Sequence, residues 1–364
     1  MGSVWRHPSL KGGLMHMDIE EGGNRFFPRL LAYLVLVAAA VFTAFGVLAE
    51  PKPKGYEYYL TGNAADAILP QRPPSPSALL MGGGPDVDAA FKWMIQKAGG
   101  GDFVVIRVRG SDGYNQYVYD MGGIDSIETL VIKTREAASD PFVLDRIKKA
   151  EILFIAGGDQ SDYINLWKGT ALETAINELI GRNAPIGGTS AGLAVLGQFD
   201  FVALNGTVYS DDALADPYNR RMTLDRGFLT APGLNGVIAD AHLDTRDRMG
   251  RLLTFLARTI QDQWVSVESA RGIGLDVETA LAIDNGIAIR LGVGSAYFLR
   301  PTIAPTVCQS GQPLTFRNVM VDRLSGSGSF HLGRWASPGN GTTRYDLSAE
   351  TGVLVSSQPG GGIY

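Results

Sequence analysis

The chain has 364 residues, of which 45% are apolar and 19% charged, and its formal net charge is −5. High apolar content and low net charge exclude a disordered chain and argue against nucleic acid as a partner. The single cysteine, Cys308, excludes an intrachain disulfide and a cysteine-rich zinc site. This length allows one large domain or two small ones.

The first segment, residues 1–49, ends in a run of apolar residues that contains no charge. The run covers residues 30–49 and follows Arg25 and Arg29. This pattern predicts a signal peptide, cleaved after Ala49, or an uncleaved signal anchor. In either case the rest of the chain is expected outside the cytoplasm, where it is secreted, periplasmic or anchored to the membrane by residues 30–49.

The next segment, residues 50–77, is rich in proline and predicts a linker with a short structured piece around Tyr56–Tyr59. From residue 78 to 308, apolar runs alternate with glycine turns and amphipathic stretches. The predicted strands are 78–81, 103–108, 127–132 and 152–156, and the predicted helices are 87–98, 142–149 and 172–180. This alternation predicts an α/β domain with a parallel sheet flanked by helices. Residues 309–364, rich in Gly and Ser, predict a C-terminal antiparallel extension with a loosely ordered end.

The candidate nucleophile is Ser190, which lies in the motif Gly188-Thr189-Ser190-Ala191-Gly192. A G-x-S-x-G motif between a strand and a helix forms a sharp turn that exposes the serine oxygen. The backbone N–H of Ala191 would then face a developing oxyanion. A glycine-rich loop with an incidental serine is the alternative interpretation.

A serine nucleophile needs a base, and outside residues 1–49 only His242 and His331 remain. His242 follows the strand-like run 237–239, whereas His331 lies in the Gly/Ser-rich tail, so His242 is favoured. A carboxylate should orient the imidazole. The candidates between Ser190 and His242 are Asp200, Asp211, Asp212, Asp216 and Asp225.

Three motifs in this order resemble the cyanophycinase and dipeptidase E family of serine peptidases. They are Gly157–Gln160, Gly187–Gly192 and the pattern Asp-x-His-x-x-x-Arg-x-Arg-x-Gly-Arg-Leu at residues 240–252. The resemblance covers about residues 78–300. A closer resemblance is to secreted cyanophycinase-like proteins, which share the residues at 99–102 and Tyr114-Asn115. It implies the fold of class I glutamine amidotransferases, which is flavodoxin-like.

The resemblance also implies a role for each matching residue. Ser190 matches the nucleophile, His242 the base, and Asp212, with Asp211 second, the acid. Backbone N–H groups near Gly158 and at Ala191 match the oxyanion hole. The residues that match substrate-binding positions are Gln160, Asp240, Arg246, Arg248 and Arg251. A solvated helix start, with Asp244 and Asp247 paired to the arginines, is the alternative for that cluster. The sequence departs from cyanophycinases at Ala241, where they usually have Gln, and at Leu243, where they usually have Phe.

These observations predict a serine exopeptidase that hydrolyses a peptide or isopeptide bond, such as that of β-aspartyl dipeptide units, through an acyl-enzyme and a Ser-His-Asp triad. Whether the substrate is cyanophycin or another peptide stays open. The mechanism needs no metal or organic cofactor, membrane contact is expected only through the N-terminal segment, and a homodimer stays open. An esterase-type serine hydrolase and a non-catalytic cell-surface binding protein are the alternatives. Glutamine amidotransfer is disfavoured, because Cys308 is far from any elbow motif.

Overall fold

The computed structural model describes residues 54–63, 65–67, 75–339 and 341–364. The predicted signal segment, residues 1–49, and part of the predicted linker lie outside these ranges. Within them, no helix combines the length and the apolar character that crossing a membrane requires.

The first of two sheets has nine strands within the described residues. They are β1 (Tyr56–Gly62), β2 (Ser77–Met81), β3 (Asp102–Arg107), β4 (Ser126–Ile132), β5 (Ile152–Ile155), β6 (Ile186–Thr189), β11 (Thr279–Asp284), β12 (Ile287–Gly292) and β15 (Ser329–His331). Their spatial order is β1-β4-β3-β5-β6-β2-β11-β12-β15. The five neighbours from β4 to β2 are parallel, and the flanking strands pair antiparallel.

The second sheet has eight strands within the same described ranges. They are β7 (Phe199–Phe201), β8 (Leu224–Arg226), β9 (Val237–Asp240), β10 (Arg271–Leu275), β13 (Ala296–Pro301), β14 (Phe316–Leu324), β16 (Thr343–Glu350) and β17 (Val353–Ser356). Their order is β17-β16-β14-β13-β10-β9-β7-β8. Only β7, β9 and β10 run parallel to one another, and the others pair antiparallel.

The helices connect and cover these strands. They are α1 (Asp88–Ala98), α2 (Asn115–Tyr119), α3 (Pro141–Lys149), α4 (Gln160–Trp167), α5 (Ala171–Gly181), α6 (Ala191–Ala194), α7 (Ser210–Ala215) and α8 (Met249–Gln261), with 3₁₀ turns at Ala137–Ser139 and Pro359–Gly361. Alternate residues of β3 show how the first sheet is covered. Phe103 and Val105 belong to the same core cluster as Phe91 of α1, whereas Val104 and Ile106 share a cluster with Ile147 of α3. Both faces of β3 are therefore buried, which explains its continuous apolar sequence.

The mixed α/β class is confirmed, and the core of the first sheet is parallel as predicted. Where the sequence suggested one parallel sheet, however, the chain forms two. After the turn at Ser190, the chain leaves the first sheet, and its next strand, β7, belongs to the second. Pairing between distant strands decides sheet membership, and local apolar patterns carry no information about it.

The segment predicted as a linker contains a seven-residue strand, β1. It pairs antiparallel with β4, from Tyr56 opposite Ile132 to Gly62 opposite Ser126. Tyr58 meets the ring of Phe142 edge to face at 4.9 Å between ring centres. The short piece around Tyr56–Tyr59 is thus an edge strand of the first sheet.

Candidate active site

Ser190 lies on a sharp turn between β6 and the short helix α6. Its backbone has φ 54° and ψ −114°, a conformation that is strained for a residue with a side chain. The turn is possible because Gly192 packs directly against the neighbouring strand β5. A Cβ at Gly192 would lie 2.1 Å from the carbonyl oxygen of Ile155. The strand–turn–helix context predicted for the elbow is therefore present.

His242 follows β9 of the second sheet, and Ser190 follows β6 of the first, yet both are attached to the end of β2. The N–H of Ser190 donates to the carbonyl of Met81 at 3.0 Å, and the N–H of His242 donates to the carbonyl of Gly82 at 2.8 Å. As a result, Ser190 Oγ lies 2.8 Å from His242 Nε2. With the imidazole neutral and protonated on Nδ1, the hydroxyl donates to Nε2, which is the geometry of a nucleophile and its base.

Gly83 fixes the space around the imidazole. Its backbone has φ 87°, and a Cβ there would lie 2.4 Å from both Cε1 and Nε2 of His242. The glycine cluster at 82–84 thus has a direct role, because the chain passes in contact with the imidazole ring of His242. Only glycine leaves enough room at this position.

The imidazole of His242 is kept neutral. The pKa of His242 is lowered from 6.5 to about 4, chiefly by burial and also by the positive charges of Arg246 and Arg248, against an opposing effect of Asp240. A neutral imidazole can accept the serine proton over a wide pH range. Among the residues that the structure describes, no side chain or carbonyl accepts a hydrogen bond from Nδ1.

The predicted acid is not in contact with the imidazole. Asp211 and Asp212 occupy the first turn of α7, where both carboxylates reach solvent, and Asp212 Oδ2 lies 3.8 Å from Arg221 Nη1. Ser210 is the residue of this turn that faces inward. Its hydroxyl donates to the carbonyl of Asp247 and accepts from the N–H of Arg251 at 3.1 Å. The helix orientation therefore separates both candidate acids from His242.

The other carboxylates considered between Ser190 and His242 are also engaged elsewhere or isolated. Asp216 accepts from the N–H of Tyr218, and Asp225 pairs with Lys168 at 2.7 Å. Asp200 is fully buried, and neither of its oxygens has a hydrogen-bond partner in the described structure. None of them contacts His242, so Ser190 and His242 stand as a pair.

A cavity of about 210 Å³ lies beside Ser190. Gly158 and Ala191 line it, and their backbone N–H groups have no acceptor among the described residues. Two unused N–H donors next to a nucleophile match what an oxyanion requires. Gln160 lines the same cavity, and its amide donates to the carbonyl of Phe201 at 3.1 Å.

Asp240 and Arg251 form a buried ion pair at the back of this cavity. Arg251 Nε and Nη2 donate to the two carboxylate oxygens at 2.7 and 2.6 Å, and Arg251 is only 2% exposed. Arg251 Nη1 also donates to Thr207 Oγ1 at 3.0 Å, and its guanidinium stacks on Phe201 at 5.0 Å. Because both oxygens of Asp240 are occupied by Arg251, this carboxylate has little capacity left for a cationic ligand.

The two remaining arginines also line the cavity. Arg248 Nη1 donates to the carbonyl of Ala241 at 2.8 Å, and burial lowers the pKa of Arg248 to about 10. Arg246 is exposed, and its side chain has no hydrogen bond or ion pair within the described residues. Asp244 and Asp247, the alternative partners, instead accept from the N–H of Val277 and from the hydroxyl of Tyr364.

Tyr364 was not predicted to contribute to the site. Its hydroxyl donates to Asp247 Oδ1 at 2.6 Å and accepts from the N–H of Met249 at 3.2 Å. Its ring packs edge to face on Tyr297 at 6.2 Å between ring centres. Tyr364 therefore holds the two residues on either side of Arg248. Nothing in the local sequence signals a contact across 115 residues.

His331 and Cys308 lie away from this arrangement. His331 lines a separate cleft with Trp335 and Arg271, and Cys308 is buried in the core between α8 and the second sheet. Burial raises the pKa of the Cys308 thiol to about 12. In the described parts of the chain, no group of three or more His, Cys, Asp or Glu side chains is placed to hold a metal ion.

The chain is similar in part to several known proteins. Residues 108–217 match the model of peptidase family S51. The chain is 27% identical over 221 residues to a cyanophycinase of Trichormus variabilis, which covers 59% of this chain and 68% of that protein. It is 26% identical over 250 residues to a cyanophycinase of Synechococcus elongatus, covering 65% and 72%. A crystal structure of a peptidase from an acI-B1 actinobacterium aligns with a TM-score of 0.46 and 18% identity, over 71% of this chain and 97% of that one.

Proposed function

We propose that the chain is a serine-type peptidase of the cyanophycinase and dipeptidase E family, and that it is an exopeptidase acting on short peptides or isopeptides with a β-aspartyl linkage. The observation that carries the proposal is the 2.8 Å contact between Ser190 Oγ and His242 Nε2 beside a small cavity. A confined cavity suits the end of a peptide better than a continuous chain.

The proposed reaction uses these residues in two steps. Ser190 Oγ attacks the carbonyl carbon while His242 Nε2 takes its proton, and the oxyanion is bound by the N–H groups of Gly158 and Ala191. His242 then protonates the leaving nitrogen as the C–N bond breaks, which leaves an acyl-enzyme that water hydrolyses. No acid orients His242 in this proposal. The hydrogen bond from its backbone N–H to the Gly82 carbonyl and the close packing of Gly83 against its ring hold the imidazole instead.

Three further features belong to the proposal. The first is that the α/β architecture is, more specifically, the class I glutamine amidotransferase-like fold. This part of the proposal rests on the resemblance of the motifs. Secretion or membrane anchoring rests on residues 1–49. Gln160 and the arginine cluster are proposed as substrate-binding residues, because they line the cavity next to the nucleophile.

The test replaces Ser190 with alanine and measures hydrolysis of a panel of β- and α-linked aspartyl dipeptides. We expect the rate to fall by about a thousandfold or more, since serine peptidases without their nucleophile keep only the contribution of binding and the oxyanion hole. A fluorophosphonate should label the wild-type protein and not the variant. Cleavage by Ser190→Ala at the wild-type rate would refute the mechanism.

A further inference from the structure

A second cavity adjoins the catalytic one. It has a volume of about 360 Å³ and is lined by Thr207, Val208, Tyr209, Arg246 and Arg248. Thr207 and the two arginines also line the cavity beside Ser190. The two cavities therefore share one wall, and a ligand bound at Ser190 has the second cavity as its neighbour.

Tyr209 gives the second cavity an apolar face. The residue precedes α7 and is 62% exposed, which makes it one of the most exposed large side chains among the described residues. Its hydroxyl has no hydrogen bond to any other described residue. An exposed aromatic ring beside a cavity is typical of a contact with the flat or apolar part of a ligand.

The shared wall carries more positive charge than the nearby carboxylates balance. Both oxygens of Asp240 accept from Arg251, and Asp240 Oδ1 also lies 3.8 Å from Arg248 Nη1, whereas Asp244 and Asp247 are bound to Val277 and Tyr364. This leaves the guanidinium of Arg246 and part of that of Arg248 facing the cavities. A guanidinium without a partner at a cavity wall is a natural site for a carboxylate.

We propose that the second cavity binds the leaving residue of the substrate, and that this residue has a large apolar or aromatic side chain and a free α-carboxylate. The side chain packs against Tyr209 and the carboxylate pairs with Arg246. This inference rests on the proposed function and narrows its substrate class. The nitrogen protonated by His242 then belongs to the released amino acid, and Tyr209 is the residue that determines specificity for it.

The experiment compares three substrates: β-aspartyl-phenylalanine, its C-terminal amide, and β-aspartyl-alanine. All assays are run at about pH 8, where His242 is neutral. Tyr209→Ala should lower the preference for phenylalanine over alanine about tenfold, mainly through KM, as expected for a lost aromatic contact. Tyr209→Phe, which keeps the aromatic ring, should have the same preference as the wild type. If Tyr209→Ala instead changes kcat/KM equally for both substrates, Tyr209 contributes to folding alone and the proposal is overturned.

The carboxylate is tested with Arg246→Gln. This variant should lose about tenfold or more of the preference for the free acid over the amide, because a charge-assisted pair is removed. Arg220→Gln is the matched control, since Arg220 is exposed and lines neither cavity. Its preference should equal that of the wild type. An unchanged acid-to-amide ratio in Arg246→Gln would overturn the assignment of the carboxylate.

The results also separate this inference from the proposed function. If the wild-type protein cleaves these peptides in a Ser190-dependent manner but the ratios do not change, the second cavity is not the leaving-residue site and the peptidase proposal stands. If it cleaves other β-aspartyl dipeptides but none of these three, only this inference fails. If it cleaves no β-aspartyl peptide at all, or if Ser190→Ala cleaves them equally well, both proposals fail.

Discussion

His242 is placed so that its imidazole remains a base in mildly acid solution. Burial is the main cause of its low pKa, and Arg246 adds a positive charge nearby. Because protonation removes the lone pair on Nε2, the protonated imidazole cannot accept the proton of Ser190. The pH dependence of catalysis therefore reports directly on this one residue.

We predict that kcat/KM falls on the acid side of the pH profile near pH 4, rather than near 6.5, the ordinary pKa of a histidine side chain. Arg246→Gln should move this limb to higher pH, because one of the charges that disfavour the imidazolium is removed. Arg220→Gln, which changes an exposed arginine outside the site, should not move it. A pH–rate profile of the three proteins measures this, and an acid limb near 6.5 in the wild type would contradict the prediction.

The same shift has a consequence for stability. The folded pKa of His242 lies below the unfolded value, so the unfolded chain binds more protons between these two values. The free energy of unfolding should therefore decrease as pH falls from about 6.5 toward 4, as far as His242 contributes.

The contact between Ser190 and His242 could be predicted from the sequence, and the absence of a carboxylate beside His242 among the described residues could not. Ser190 and His242 each follow an apolar run, and a glycine motif marks the turn at Ser190. The resemblance points to Asp212 and Asp211 as the acid by their distance along the chain from Ser190. Which side of α7 faces inward depends on Ser210 and its contact with the Asp247 carbonyl, and this contact is not visible in a local pattern.

At the scale of elements, strand β7 carries an unusual residue between two core phenylalanines. Phe199 and Phe201 pack in the core with α8, and Asp200 points the opposite way, fully buried and opposite Asp225 in the register. Burial and the charge of Asp225 raise the pKa of Asp200 well above its ordinary value. A carboxyl in this setting favours its neutral form.

We predict that Asp200→Asn is at least as stable as the wild type at about pH 8, and that its advantage shrinks at about pH 5. The sign follows from the raised folded pKa of Asp200, because ionisation costs stability as pH rises. Asp322→Asn is the contrasting control, since Asp322 is also buried but accepts from Arg344 at 2.9 Å, and its loss should destabilise the protein. Urea unfolding at both pH values measures this. A lower stability of Asp200→Asn at pH 8 would contradict it.

Elements with a continuous apolar run could be predicted to within a residue or two. The strand predicted at 103–108 is β3 at Asp102–Arg107, and the helix predicted at 142–149 is α3 at Pro141–Lys149. Strand β1 was harder, because its side chains are only half-buried and prolines surround it in the sequence. Its place is set by pairing with β4 and by contact with Phe142.

At the scale of the whole molecule, Tyr364 connects the C-terminal part of the described chain to the segment that follows His242. Its hydroxyl bridges Asp247 and Met249, on either side of Arg248. Asp247 has a positive φ of 45°, so an external contact helps to hold this strained turn. We therefore expect Tyr364 to be a positioning residue, which acts by holding the two neighbours of Arg248 in place.

We predict that Tyr364→Phe raises KM several-fold and lowers the free energy of unfolding by about 1 kcal/mol, because a half-buried hydroxyl that makes two hydrogen bonds is removed. Tyr218→Phe is the matched control, since the Tyr218 hydroxyl donates to Asp262 at the opposite end of α8. It should cost similar stability without a change in KM. Equal KM values for the two variants would show that Tyr364 has no positioning role.

The order in which the chain visits the two sheets has a further consequence, for how the protein is made. Strands β1–β6 enter the first sheet, β7–β10 the second, β11 and β12 the first, β13 and β14 the second, β15 the first, and β16 and β17 the second. Neither sheet is complete until a ribosome has synthesised nearly all of the described chain. Ser190 and His242 follow strands of different sheets, so we expect their contact to form only through long-range pairing, which is slow. A chain with this strand order is therefore expected to acquire the Ser190–His242 pair late in its folding.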